Sequence, residues 1–542
     1  MTKNLIPRYQ ILSEEGVEMV WLEGISITAA LLVFFLVIGP IGTVLYLYFF
    51  DRKQKQHAIL RNFPLLGRAR YLTEKIGPEL RQYLFDGDNE NQPFSRQEYL
   101  HMVLPGKYLS SVIGFGSKKD FSQPGYYLRN SMFTKQTEEM RVDNSELVKT
   151  MKYVIDEDNL FSRSEHREEV DALPWLLPEE DAVVIGPNCE QPFRVRGFIG
   201  QSAMSYGGLG ENAILALSGG ISRVPGSWMN TGEGGVSPYH LQGGADLIAQ
   251  IGSGLYGYRT KEGEFSVELL KEKAANPQIK AFEIKIAQGS KMRGGHIEGE
   301  KVTEEIAEIR NVVPYTTINS PNRFRQFDDY PSLFDFIDMI RENSGKPVGI
   351  KVVIGSKQDA DEFSAFMKET GRGPDFISLD GGEGGSGATY QDLADSLGLP
   401  LRSALPILDE SLREHGVRDR VKIIASGKVT TPDAAAIAMA LGADLVQSAR
   451  AFMISVGCIM AHQCHTNDCP TGVATTDPKL QNGLVVDEKK FRVTNYILTM
   501  REGLFRIAAA AGLDSPTKIS REHLVYKDDR GRVYPFEEIM KD

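Results

Sequence analysis

The chain has 542 residues, a formal net charge of −11 and a pI near 5.5. An acidic balance without a basic face argues against nucleic-acid binding by counterion release. Apolar and charged fractions of 42% and 25% are those of an ordinary globular body, and the sequence shows no low-complexity tract, collagen-like period or short solenoid repeat.

The first element departs from that average. Residues 26–50, SITAALLVFFLVIGPIGTVLYLYFF, carry no charge, and at about 1.5 Å per residue such a run crosses roughly 30 Å of hydrocarbon. It is expected to be a single membrane-spanning helix, with Tyr46 and Tyr48 at the interface and Gly39-Pro40 as a kink. Glu14, Glu15, Glu18 and Glu23 precede it, whereas Arg52, Lys53, Lys55, Arg61, Arg68 and Arg70 follow. The positive-inside rule therefore predicts a single-pass anchor in the cell membrane with the large domain cytoplasmic. A cleaved signal peptide is disfavoured, because the run is too long and no small-x-small site follows it.

Residues 51–195 alternate short helical stretches with polar loops and are expected to form a helical lead-in. From Phe198 the pattern becomes apolar runs that end in Gly, Ser or a polar residue, each followed by a helix-length segment. The runs are 198–205, 227–235, 246–252, 281–289, 348–355, 375–385, 421–429 and 444–452. Eight such units over about 250 residues predict an α/β fold, the (β/α)8 TIM barrel, with an open doubly wound sheet as the alternative. Thr431, Pro432 and Asp433 supply an N-cap, a first-turn proline and an acidic residue at a helix start. The expected organisation is a flank (1–25), an anchor (26–50), the lead-in (51–195), a barrel (196–515) and a C-terminal tail (516–542).

In a barrel the chemistry belongs at the C-terminal ends of the strands. LDGGEGGSGAT, from Leu379 to Thr389, is a glycine-rich turn after the sixth run, and ASGKV (425–429) and QSAR (447–450) end the seventh and eighth. Those positions predict a site for a phosphate-bearing cofactor. Lys285 and Lys351 interrupt apolar strands, where an unpaired ammonium is costly unless it faces an anionic or electron-rich ligand. With Glu233, Gln288, Lys291 and Arg310 they suit a dicarboxylate, although Arg310 reads equally well as a solvated charge. Cys458, Cys464 and Cys469 follow the eighth unit in GCIMAHQCHTNDCPTGVAT, the loop 457–475, while Cys189 stands far away. Clustered thiolates predict an iron–sulfur centre, or zinc completed by His462 or His465, over inert buried thiols.

AMSYGGLGENA (203–213), NTGEGG (230–235), EIKIAQGSK (283–291), SLDGGEGGSGAT (378–389), ASGKVTTPDAA (425–435) and the C-x5-C-x4-C loop, in this order, resemble the FMN-binding synthase domain of glutamate synthase. The resemblance covers about residues 170–515 and is nearest to stand-alone, membrane-anchored bacterial relatives of the large subunit. It implies an FMN barrel with a 3Fe-4S cluster on Cys458, Cys464 and Cys469. The implied reaction belongs to the oxidoreductases acting on CH–NH2 donors: reduction of 2-iminoglutarate, made from 2-oxoglutarate and ammonia, to L-glutamate.

Carried over by motif, Lys285, Glu233 and Lys351 are the catalytic set, and Arg310, Gln288, Lys291 and His296 bind substrate. The implied FMN residues are Ala203, Met204, Ser205, Lys351, Asp380, Gly384, Gly385, Ser386, Gly387, Ser426, Gly427, Lys428, Gln447, Ser448, Ala449 and Arg450. No glutaminase, FAD or NADPH motif is visible, so electrons are expected from a ferredoxin or a separate reductase subunit. GSKMRGGHIEG (289–299) is one residue shorter than the family's loop, with His296 at the place of a substrate-contacting glutamine. A reductase of another substrate and a cofactor-bearing scaffold are the competing functions.

Overall fold

The computed structural model describes residues 27–29, 31–291, 294–387 and 389–539. The predicted flank 1–25, Ser26 and Ala30 of the predicted span, and Met292, Arg293 and Ala388 of the predicted loops lie outside the described residues. The chain divides into two units, Met1–Gln92 and Pro93–Asp542.

In the first unit a helix covers Ile27–Lys53 with a mean hydropathy of 2.4, long and apolar enough by length and composition to cross a membrane. At its end the buried Asp51 accepts hydrogen bonds from Arg68 Nε (2.9 Å) and from the Leu65 amide (3.1 Å). Helices Ala58–Asn62 and Leu66–Leu80 follow.

The second unit is built on a closed parallel barrel of eight strands. They are β1 (Ile199–Gln201), β2 (Trp228–Asn230), β3 (Asp246–Ile251), β4 (Ile279–Lys285), β5 (Val348–Val352), β6 (Phe376–Asp380), β7 (Lys422–Ser426) and β8 (Leu445–Ser448). Seven of them fall within one predicted run each, β4 begins two residues ahead of its run, and β8 closes on β1 through Val446–Ile199 and Ser448–Gln201. The TIM-barrel expectation is met and the open sheet is excluded.

Successive strand residues point to opposite faces, and the inward set separates into layers. At the N-terminal end, Trp228, Ile248, Ala281, Phe376, Ile424 and Leu445 form an apolar cluster with Ile185, Phe193 and Val195 from a hairpin (Val183–Ile185 and Phe193–Val195) that plugs the barrel. Gly200 makes room for this plug, because a Cβ there would lie 2.0 Å from the Trp228 ring. Two residues further along, the layer turns polar. Glu283, fully buried, accepts from Asn230 Nδ2 (2.8 Å), Gln250 Nε2 (2.6 Å) and the Ser378 hydroxyl. Three neutral donors offset the cost of burying that carboxylate.

The segment before the barrel is only partly the helical lead-in that its sequence predicts. Helix Arg96–Tyr108 starts from a Ser95/Glu98 capping box, but beyond it the chain is mainly extended, in Gly125–Leu128 and the hairpin Val148–Asp158 with Arg163–Ala172. The strand Arg163–Ala172 is exposed at most positions, so its polar composition hides it among loops. Nor does the 516–542 stretch stand apart. Leu524–Lys527 pairs with both Gly125–Leu128 and Val533–Pro535, and Arg521 NH2 reaches the buried Asp409 at 2.6 Å, beside Arg413 and Arg418.

Candidate functional site

The C-terminal strand ends gather most of the residues singled out from the sequence. Glu283 and Lys285 share the inward face of β4 by the two-residue period, so Lys285 stands one step above the polar layer, at the mouth. Its Nζ lies 2.9 Å from Glu233 Oε1, and Lys291 Nζ lies 2.9 Å from the same oxygen. All three are largely shielded from solvent, with side-chain exposures of 6%, 15% and 7%. Burial opposes ionisation of Glu233, but the fields of Lys285 and Lys291 outweigh it and hold its carboxyl well below the usual range. Burial also acts on Lys285, and against the pull of Glu233 brings it down to about 8.

Lys351, 2% exposed, reaches across to Ser202 Oγ of the β1 end (3.2 Å) and to Asp380 Oδ2 of the β6 end (3.5 Å). The Gly289 amide donates to the same Asp380 oxygen at 2.9 Å. Arg310 is not a surface charge. It ends helix Glu304–Arg310, is 2% exposed, donates to Tyr206 O at 2.7 Å and stacks 5.6 Å above the Tyr256 ring. Among the described residues its Nε has no partner, and burial pulls its pKa down. Four cations (Lys285, Lys291, Lys351 and Arg310) thus converge on two carboxylates (Glu233 and Asp380), and cations still exceed carboxylates when Glu283 below is counted. A buried positive excess favours an anionic guest.

His296 is placed differently. It lies on a short hairpin (His296–Ile297 with Ile318–Asn319), with Nδ1 2.7 Å from Asn319 Oδ1 and Nε2 2.8 Å from Glu298 Oε1. Both ring nitrogens are engaged outside the cluster, although the neighbouring Gly295 backbone abuts Glu233 and Lys291.

The predicted phosphate loops pack together at the β6–β8 ends. Gln288 Nε2 donates to Gly385 O (2.7 Å), the Ser290 amide to Gly384 O (2.7 Å) and the Gly381 amide to Ser426 O (2.8 Å). Ser386, Gly387, Gly427 and Lys428 continue these loops. Arg450 donates to Glu383 O at 2.6 Å, and Ser448 O receives the Ser202 amide at 3.0 Å. Ala449 lies between them, at the start of helix Arg450–Val456. On the β1 side Met204, between Ala203 and Ser205, donates its amide to Asn230 O at 3.2 Å. Among the described residues Gln447, 1% exposed, leaves both its side-chain oxygen and nitrogen unpartnered, and Gln201 and Gln250 each leave an oxygen so. Orphaned buried amides cost about 1–3 kcal/mol each, so this face is incomplete without a guest that offers donors and acceptors.

The cysteine loop abuts the same place. A Cβ on Gly387 would lie 2.7 Å from Cys464 Cβ, so only glycine lets the two loops meet. Cys458 is pushed up to about 12 by burial, whereas burial of Cys469 is outweighed by hydrogen bonds from the Ala474, Thr471 and Val473 region, and its thiol is lowered. Lys301, 4% exposed, donates to Cys464 O (3.1 Å) and Ala474 O (3.2 Å). Among the described residues no set of three or more His, Cys, Asp and Glu side chains stands in a metal-ligating arrangement. His462 and His465 are exposed. Cys189 does not join the loop: its Sγ lies 3.8 Å from Asp375, which precedes β6 at the opposite end of the barrel.

Residues 135–514 match a family model described as a conserved region in glutamate synthase. The chain is 54% identical over 518 residues to the glutamate synthase large subunit-like protein YerD of Bacillus subtilis, covering 95% of this chain and 99% of that one. The chain belongs to the glutamate synthase family. It is 33% identical to the archaeal-type glutamate synthase [NADPH] of Thermotoga maritima over 58% of this chain and 59% of that protein, so it spans little more than half of that relative. Among solved structures it is similar to the flavin-binding domain of baker's yeast flavocytochrome b2, with a TM-score of 0.41 and 12% identity over 89% of this chain and 90% of that one.

Three residues of this glutamate synthase family member's site escaped the sequence. Ser202 is one position before the AMS motif, and only the barrel's closure brings it to Lys351. Lys301 carried no signal beyond its charge. Phe94, 1% exposed and some 330 residues from the phosphate loops, holds the Arg450 guanidinium 4.7 Å and the Lys428 ammonium 5.6 Å from its ring centre. Its position just ahead of the Ser95 cap was the available clue.

Proposed function

We propose that this barrel binds FMN and reduces 2-iminoglutarate, formed from 2-oxoglutarate and ammonia with loss of water, to L-glutamate. The observation that carries the reading is the buried excess of cations over carboxylates at the mouth, in a chain of the glutamate synthase family. FMN, when bound, supplies the hydride. The unpartnered Gln447 and Gln201 atoms, the glycine loops and the Arg450–Lys428 pair fit a planar heterocycle carrying a phosphate.

On this reading Arg310 and Lys291 hold the carboxylates of the dicarboxylate. Glu233 keeps both lysines oriented by sharing one oxygen between them. Lys285 Nζ stays protonated at neutral pH and carries the proton that the imine nitrogen takes up when hydride adds to the carbon and the C=N π bond opens. Burial of the cluster excludes water and strengthens each of these contacts.

Electrons come from an external donor, such as a ferredoxin or a separate reductase subunit. Cys458, Cys464 and Cys469 are the residues we assign to an iron–sulfur cluster of the 3Fe-4S kind. The backbone amides that lower the Cys469 thiol and the buried Lys301 suit a thiolate-bound cluster. The Ile27–Lys53 helix is read as a single membrane span with the barrel in the cytoplasm.

The test is an anaerobic assay with chemically reduced donor, 2-oxoglutarate and ammonium. Glutamate appearing in step with flavin reoxidation is the expected result. A flavin that stays reduced in the presence of both substrates overturns the reading and leaves a reductase of another substrate.

A further inference from the structure

In the first unit the helix Leu66–Leu80 continues through Arg81–Phe85. Along it Ala69, Leu72, Ile76, Leu80 and Tyr83 recur at intervals of three and four residues and so share one face. Among the described residues nothing covers that face: Leu72 is 61% exposed, Ile76 43%, Leu80 37% and Tyr83 54%. The charged residues lie off it. At about 3.6 residues per turn, Arg70, Glu74 and Arg81 run along one flank, Arg68 and Glu79 border the other, and Lys75 falls on the far side. A lone helix of this length is marginal in water, and its stability comes from packing an apolar face against something else.

The start of this helix is pinned to the end of the apolar one. Asp51, fully buried, accepts from Arg68 Nε at 2.9 Å and from the Leu65 amide at 3.1 Å. Gly67 permits the close crossing, because a Cβ there would lie 3.1 Å from the Leu60 side chain. Asp51 directly follows the uncharged run 26–50. With Ile27–Lys53 read as a membrane span, the second helix begins where the hydrocarbon ends.

Charge selects what covers the face. Residues 51–85 hold eight Lys or Arg against Asp51, Glu74 and Glu79, in a chain whose net charge is −11. Among the described residues only Arg68 and Arg70 of those eight pair with a carboxylate. Asp86, Asp88 and Glu90 follow Phe85 at once, so the cationic stretch stops where the apolar face stops. A second copy of this helix would bring the same positive excess and be repelled, whereas anionic headgroups beside acyl chains match both the cations and the apolar stripe.

We propose that the helix 66–85 lies in the headgroup layer of an anionic phospholipid membrane, with Leu72, Ile76, Leu80 and Tyr83 toward the acyl chains and the cations of 52–81 among the phosphates. The contact rests on the reading of Ile27–Lys53 as a span and adds a lipid class to it.

Hydrogen exchange of the full chain in nanodiscs tests it, comparing phosphatidylcholine alone with an equal mixture of phosphatidylcholine and phosphatidylglycerol. Amides of 66–85 are expected to exchange about tenfold more slowly in the anionic discs. A Leu72→Gln, Ile76→Gln double variant keeps good helix formers and removes the centre of the stripe. It is expected to lose the difference while amides of 27–53 and of β3 exchange as in the wild type. A difference that survives in this variant overturns the proposal. Equal exchange of 66–85 in the two discs, with 27–53 protected, overturns it and leaves the span standing. Rapid exchange of 27–53 in both discs overturns the span and the proposal together. Protection of 66–85 that ignores lipid charge also overturns it: if it grows with protein concentration the face belongs to a second copy, and if it does not the face packs on this chain's own barrel.

Discussion

Replacing Lys285 by Met separates what the mouth does for stability from what it does for chemistry. Burial takes this lysine from its ordinary 10.5 to about 8, a drop that corresponds to roughly 3 kcal/mol against the folded state when the amine is charged in both states. Methionine removes that cost with little change in volume, and Glu233 keeps Lys291 at 2.9 Å. The variant is therefore expected to be at least as stable as the wild type at pH 7, by up to about 3 kcal/mol, while losing turnover and retaining FMN. The folded pKa is depressed, so the burden is fully present below pH 8. It is relieved as pH rises from about 8 toward 10.5, where the folded chain has lost the proton and the unfolded chain has not. Urea unfolding of both proteins in detergent at pH 7 and pH 10 measures this, and the variant's advantage is expected to shrink at the higher pH. A variant less stable than wild type at pH 7, or a difference that ignores pH, would refute the reasoning and make the lysine a structural partner of Glu233.

Turnover of the wild type is expected to fall as pH rises through about 8, the value to which burial brings Lys285, and a pH–rate profile at saturating FMN checks this. Phe94→Ala removes the ring that holds Arg450 and Lys428; losing about 1–2 kcal/mol of cation–π support is expected to weaken FMN binding about tenfold in a fluorescence titration. Cys469→Ser is expected to lower iron and sulfide content while flavin stays at wild-type stoichiometry, measured by elemental analysis and absorbance, because the serine oxygen replaces the thiol lowered by surrounding hydrogen bonds.

What the sequence disclosed and what it withheld divide along physical lines. The eight strands were legible because a parallel strand covered on both faces must be apolar throughout, so Lys285 and Lys351 stood out as charges that needed a partner. The shared oxygen of Glu233 was not legible, since β2 and β4 meet it only through the curvature of the closed barrel. Arg310 shows the same limit. Its neighbours on the helix gave no hint of burial, and Tyr206 and Tyr256, which enclose it, come from two other loops. The extended stretch after Tyr108 was misread because its solvent-facing strands are as polar as loops. The cysteine spacing identified a loop, but spacing alone carries no information about how three side chains turn toward one point.

The small sheet that joins Gly125–Leu128 to Leu524–Lys527 and Val533–Pro535 also orders the birth of the protein in time. At about 5–20 residues per second, the ribosome makes the partner of Gly125–Leu128 on the order of tens of seconds after that strand has emerged. Until then the strand has an unsatisfied edge, although all eight barrel strands, the last ending at Ser448, are made before its partner. The Ile27–Lys53 helix emerges before any barrel strand, so the early half of the chain waits for the late half.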